Sequence, residues 1–102
     1  MSQEEAALTG KQKRHLRGLA NRMEAKVVIG HSGINDNCLE SLDEYLTADE
    51  LVKVRIQKTA GVDRKEAAEI LTQKTFSHCV QVFGNTVILY RENSENRKIK
   101  LP

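Results

Sequence analysis

A chain of 102 residues with 39% apolar content can bury one small core, so a single domain is expected. A formal net charge of +2 marks no polyanion partner by itself, and 4% aromatic content without tryptophan argues against recognition by stacking many bases. The only cysteines, Cys38 and Cys79, form neither a C-x-x-C pair nor a zinc-ligand spacing with histidine; this excludes a disulfide scaffold or metal finger and predicts two small buried hydrophobes.

Met1–Ala7 reads as a frayed lead-in. Its acidic start differs from the basic and then apolar pattern of a signal peptide, and no apolar run approaches about 18 residues. A soluble protein in a reducing, cytoplasmic setting, without membrane contact, is therefore expected. Thr9-Gly10-Lys11-Gln12 has the form of a capping box, with Thr9 serving the orphan N–H groups and Gln12 reaching back. Leu16, Leu19, Ala20 and Met23 follow at i, i+3, i+4, i+7 and predict one packed stripe, while Lys11, Arg14, Arg17 and Arg22 spread over the far side.

Lys26–Ile29 reads as the first strand. The next helix is expected to start near Asn35 or Asp36, with Cys38, Leu39, Leu42, Tyr45 and Leu46 on its core side and Glu40, Asp43 and Glu44 outside. Leu51–Gln57 alternates: Val52, Val54 and Ile56 on one face, Lys53, Arg55 and Gln57 on the other. Gly61 marks a turn, and Asp63-Arg64-Lys65-Glu66 predicts a second capping box for a helix ending near Phe76.

His78–Phe83 and Thr86–Arg91 flank Gly84-Asn85, which makes a closing β-hairpin. Strands one and two join through a helical crossover and should be parallel; strands three and four should be antiparallel. Val27-Val28-Ile29 and Val87-Ile88-Leu89-Tyr90 are apolar without alternation, so both are expected inside the sheet. The predicted fold class is thus α/β, a single compact domain of order α-β-α-β-α-β-β, with three helices and a four-stranded mixed sheet of order 2-1-4-3. The polar end of the chain carries Arg97, Lys98 and Lys100, with Ile99 and Leu101 as the pair by which it could dock.

Charge is segregated along the chain. From Lys11 to Lys26 six basic residues stand against Glu24 alone, whereas Ile34 to Val52 holds six acids and no Lys or Arg. Between them lies Gly30-His31-Ser32-Gly33, a glycine loop joining a strand to a helix. Without a Cβ at Gly30 and Gly33 the loop can lay its N–H groups against a phosphate at a helix N-terminus. His15 and His78 lack a partner at ligand or triad spacing, and neither G-x-S-x-G nor G-x-x-x-x-G-K occurs. No catalytic residue, metal, cofactor or small-molecule substrate is therefore expected.

Three segments in register, LTGKQKRHLRGLA (Leu8–Ala20), VVIGHSGIND (Val27–Asp36) and VQVFGNTVILYR (Val80–Arg91), resemble the CRM (chloroplast RNA splicing and ribosome maturation) domain, particularly its bacterial stand-alone YhbY-like form. The resemblance runs from Leu8 to Pro102. It implies a fold similar to the C-terminal domain of translation initiation factor 3, RNA binding, and association with pre-ribosomal particles through precursor large-subunit ribosomal RNA. The family's loop falls on Gly30, His31, Ser32 and Gly33, and its basic helix segment on Lys11, Lys13, Arg14 and Arg17. Arg22, Lys53, Arg55 and Arg91 are secondary RNA-binding candidates. Family members often carry Lys, Arg or Asn within the loop, where this chain has His31 and Ser32, so the loop is expected to act more through backbone hydrogen bonds than through charge. The rival expectation is a protein-interaction adaptor whose acidic second helix binds a basic ribosomal partner.

Overall fold

Thr9 opens the first helix as predicted: its side chain accepts the Gln12 N–H at 3.1 Å, and the Gln12 carboxamide accepts the Thr9 N–H at 3.1 Å. The computed structural model describes residues 7–102, so the predicted lead-in lies outside the described residues except for Ala7. In chain order the elements are α1 (Gly10–Ala20), β1 (Val27–Ile29), α2 (Asp36–Asp49), β2 (Leu51–Ile56), a 3-10 turn (Lys58–Ala60), α3 (Arg64–Thr75), β3 (His78–Phe83) and β4 (Thr86–Tyr90). That is the predicted α-β-α-β-α-β-β order. Asn35 caps α2 through the Cys38 N–H at 2.9 Å, and Asp63 caps α3 through the Lys65 N–H at 2.8 Å.

The sheet order is β1-β2-β4-β3, with β1 parallel to β2 and the other pairs antiparallel. This corrects the predicted 2-1-4-3, which placed the first strand inside. β1 is a three-residue edge strand whose Val27 and Ile29 are buried but whose Val28 is 48% exposed. Its apolar run is covered on one face only. β2 takes the central place despite its charges, because Lys53 lies half-buried and its Nζ donates to the Met23 carbonyl at 3.0 Å. In β4 Val87, Ile88, Leu89 and Tyr90 are all buried, since both faces of that strand are covered.

Two cores flank the sheet. On one face Leu42 and Leu46 of α2 and Ala67, Ala68 and Leu71 of α3 meet Val52, Val54, Val87 and Leu89. On the other, Leu16 and Ala20 of α1 meet Leu51, Val80, Ile88 and Tyr90. Removing a side chain such as Leu16 or Leu46 down to alanine would cost ~2–5 kcal/mol. The outlying members of the predicted stripes sit nearer solvent: Leu19 and Tyr45 are exposed, and Tyr45 instead has the Lys26 ammonium 6.0 Å from its ring centre. Cys38 and Cys79 are half-buried at the rim of the larger core.

The end of the chain docks as its apolar pair suggested. Ile99 and Leu101 pack on the α1 core, and Gln12 Nε2 donates to the Pro102 carbonyl at 3.2 Å. Glu50, counted among the acids of the α2 region, is not on the surface; it is fully buried and holds this tail.

Candidate nucleic-acid interface

The glycine loop leaves the C-terminal end of β1 and turns tightly, with the Gly33 N–H donating to the Gly30 carbonyl at 2.8 Å. Gly33 has φ +72°, a left-handed torsion that glycine adopts without strain. At Gly30 the reason is proximity, because a Cβ there would stand 2.8 Å from Gln57 Oε1. The Gly33 N–H is therefore engaged within the turn, whereas the N–H groups of His31 and Ser32, both exposed residues, have no acceptor among the described residues. Asp36, in the first turn of α2, brings a negative charge to the same helix end.

On α1, Lys11 and Arg14 are exposed, Lys13 and Arg17 half-buried, and Arg22 exposed just past the helix. Among the described residues none of the five forms an ion pair. Lys13 lies close enough to β3 to lower the pKa of His78, after burial, which lowers it more. α1 covers the end of the sheet formed by Leu51 and Tyr90, whereas the glycine loop projects from the opposite end, beside the β3–β4 turn. The α1 cations and the loop are thus separated along the sheet. Arg55 lies between them, exposed on the α1 side, with Lys53 two residues nearer to α1.

Arg91 is diverted from its predicted place among the candidates. Its Nη1 donates to Asp43 Oδ1 at 2.7 Å and to the Thr75 carbonyl at 2.8 Å, and its Nη2 to the Asp43 carbonyl at 3.0 Å and Thr47 Oγ1 at 2.8 Å. A guanidinium so engaged joins the end of β4 to α2 and α3 and has no free edge for phosphate.

Residues that the motifs did not single out also reach the loop end. The Gln57 side chain occupies the space a Cβ on Gly30 would need, the exposed Lys58 follows it in the 3-10 turn, and Arg64 Nη1 donates to the Gly84 carbonyl at 2.8 Å. The usable signal for Lys58 was the parallel pairing, which puts the residues after β2 beside those after β1. The acidic α2 packs on the face of the sheet opposite α1, so basic and acidic helices look in opposite directions.

Among the described residues no group of three or more His, Cys, Asp or Glu side chains is placed to hold a metal ion, and no helix is long and apolar enough to cross a membrane. The family model for the CRS1/YhbY (CRM) domain matches residues 8–91. The Probable RNA-binding protein YqeI of Bacillus subtilis is 42% identical over 95 residues, covering 93% of this chain and 99% of the relative. A Haemophilus influenzae protein named RNA-binding protein is 36% identical over 98 residues, covering 93% and 95%. The solution structure of the Staphylococcus aureus hypothetical protein SAV1595 superposes with a TM-score of 0.80 at 45% identity, over 94% of this chain and all of that one.

Proposed function

The chain belongs to the CRS1/YhbY (CRM) domain family, and on that footing we propose that it binds structured RNA without catalysing a reaction, in the cytoplasm, on precursors of large-subunit ribosomal RNA during subunit assembly. One observation carries the RNA reading: the cations of α1, without an ion pair among the described residues, share a face of the sheet with Arg55, while the acids of α2 lie on the opposite face. A polyanion approaching the α1 side meets Lys11, Arg14 and Arg17 without repulsion from Glu40 or Glu44. The loop then positions one phosphate through the His31 and Ser32 N–H groups, and the helix supplies most of the charge.

The salt dependence of RNA affinity tests this. Arg14→Ala and Arg17→Ala should each weaken binding and flatten the slope of log affinity against log salt by about 0.7–0.9 per lost phosphate contact. Unchanged affinity and slope in both variants would remove α1 from the interface. Crosslinking in cells followed by sequencing of the bound RNA should return precursor large-subunit segments. A nuclease-resistant association with a basic protein, with no affinity for isolated ribosomal RNA, would favour the adaptor reading built on α2.

A further inference from the structure

The strand register lines up four residues across the sheet, on the α1 side but beyond the reach of α1. Val28 pairs with Arg55, Arg55 with Thr86, and Thr86 with Phe83, so β1, β2, β4 and β3 each give one side chain to a single row. Directly paired residues point to the same side of a sheet. The row shares its face with Ile88 and Tyr90, which α1 covers, yet it stands at the loop end of the strands and remains open. Phe83 is 72% exposed and Val28 48% exposed, Arg55 is exposed and Thr86 half-exposed. Among the described residues the Arg55 guanidinium has no ion pair. Beside the row Met23, Glu24, Lys53, Arg55 and Thr86 line an open hollow, in which Glu24 is the one acid.

An aromatic ring left in water on the edge strand β3, at the loop end of the sheet, has no packing role. Its backbone, however, is held firmly: the turn after Phe83 is tied down by Arg64 Nη1 on the Gly84 carbonyl at 2.8 Å and by the Ile56 N–H on the Asn85 carbonyl at 2.7 Å. A rigid, exposed phenyl two strands from an exposed guanidinium, about 10 Å by strand spacing, has the layout of a nucleotide seat, with a flat apolar surface for the base and a cation for its phosphate. The small Thr86 between them leaves room for the sugar and offers a hydroxyl.

We propose that the Val28–Arg55–Thr86–Phe83 row seats one unpaired nucleotide of the bound RNA, its base stacked on Phe83 and its phosphate against Arg55. The proposal rests on the RNA reading above and adds to it a preference for RNA in which a single-stranded nucleotide adjoins a helix. A single ring suffices for one base, in keeping with the low aromatic content.

The test compares a blunt RNA duplex with the same duplex carrying a single-stranded overhang. The wild-type protein should bind the overhang RNA more tightly. Phe83→Ala should lose roughly 5- to 150-fold in affinity for the overhang RNA and change little for the blunt duplex, while Phe83→Tyr retains the wild-type preference. Arg55→Ala should weaken binding of the overhang RNA more than of the blunt duplex and reduce the salt slope for the overhang RNA. Since both side chains are exposed, the variants should keep the wild-type melting temperature. Equal loss on the two RNAs, or no loss in Phe83→Ala while Arg14→Ala still weakens binding, would overturn the seat and leave the RNA reading standing; the exposed row would then suit a protein partner. Failure of the wild-type protein to bind either RNA would overturn both.

Discussion

The carboxylate of Glu50 accepts the backbone N–H of Ile99 at 2.7 Å, joining the end of α2 to the C-terminal segment of the chain. The same oxygen accepts the Lys98 N–H and the other accepts the Asn93 N–H, both at 2.7 Å. Glu50 is fully buried, and among the described residues no cation pairs with it. Three short charge-assisted hydrogen bonds replace the water that such a group gives up. To reach them the residue adopts φ +69°, a torsion that costs a non-glycine residue about 1 kcal/mol or more. The return is a tail held against the sheet, with Ile99 and Leu101 sealing the α1 core.

Glu50→Gln tests that account with almost no change in shape. The amide has one acceptor oxygen where the carboxylate has two, and its NH2 must face either the Asn93 or the Lys98 and Ile99 donors. A loss of about 2 kcal/mol is expected, visible as a melting temperature lower by roughly 10 °C. Hydrogen exchange locates the effect: the Lys98 and Ile99 amides should lose protection in the variant while those of β4 keep most of theirs. Retained protection at Lys98 and Ile99 would show that the tail is held by Ile99 and Leu101 alone.

The glycine loop separates two requirements that a motif merges. Gly33 needs its torsion, since Ala60 O at 3.6 Å leaves a Cβ ordinary space, whereas Gly30 needs only that Gln57 move aside. Gly33→Ala should therefore cost about 1 kcal/mol of stability, and Gly33→Asn less, because asparagine tolerates the left-handed region. Gly30→Ala should cost less than Gly33→Ala, as the opposing atom ends a flexible, exposed side chain. Denaturant unfolding of the three variants ranks them. If Gly30→Ala were the more damaging, the loop would be limited by contact with Gln57 rather than by torsion.

What could be read before the structure was what depends on neighbours in sequence. Thr9, Asn35 and Asp63 sit three or fewer residues from the N–H groups they cap, so those helix starts were legible. Coverage by distant elements was not. Val27-Val28-Ile29 and Val87-Ile88-Leu89 look alike as strings, yet α1 stops short of Val28 and lies over Ile88. The expected order 2-1-4-3 left β2 at an edge, but Met23 arrives above Lys53 and its carbonyl accepts a hydrogen bond from the ammonium. Arg91 matched a motif as a surface cation, although Asp43, 48 residues away, takes its guanidinium. The cations of α1 were legible as a set because a helix displays them locally. The row from Val28 to Phe83 was not, since the expected order 2-1-4-3 separates Arg55 from Thr86 and only the observed order joins them.

Lys13 carries the last prediction, because it sits in the basic segment of α1 and close to the start of β3. Burial first, and the Lys13 charge second, hold the His78 pKa below its ordinary value of 6.5. The folded protein therefore binds fewer protons at this site than the unfolded chain once the pH drops below about 6.5. Stability from this group is constant above that pH and falls as the pH is lowered toward the folded pKa. Replacing Lys13 with Gln removes the smaller cause and leaves burial, so the His78 midpoint should rise in Lys13→Gln but stay below 6.5. An NMR titration of the His78 ring protons in the two proteins measures this directly, and the acid limb of a stability curve should soften in parallel. A midpoint that does not move would mean that Lys13 points away from β3 in solution, leaving its charge wholly to the outer face of α1.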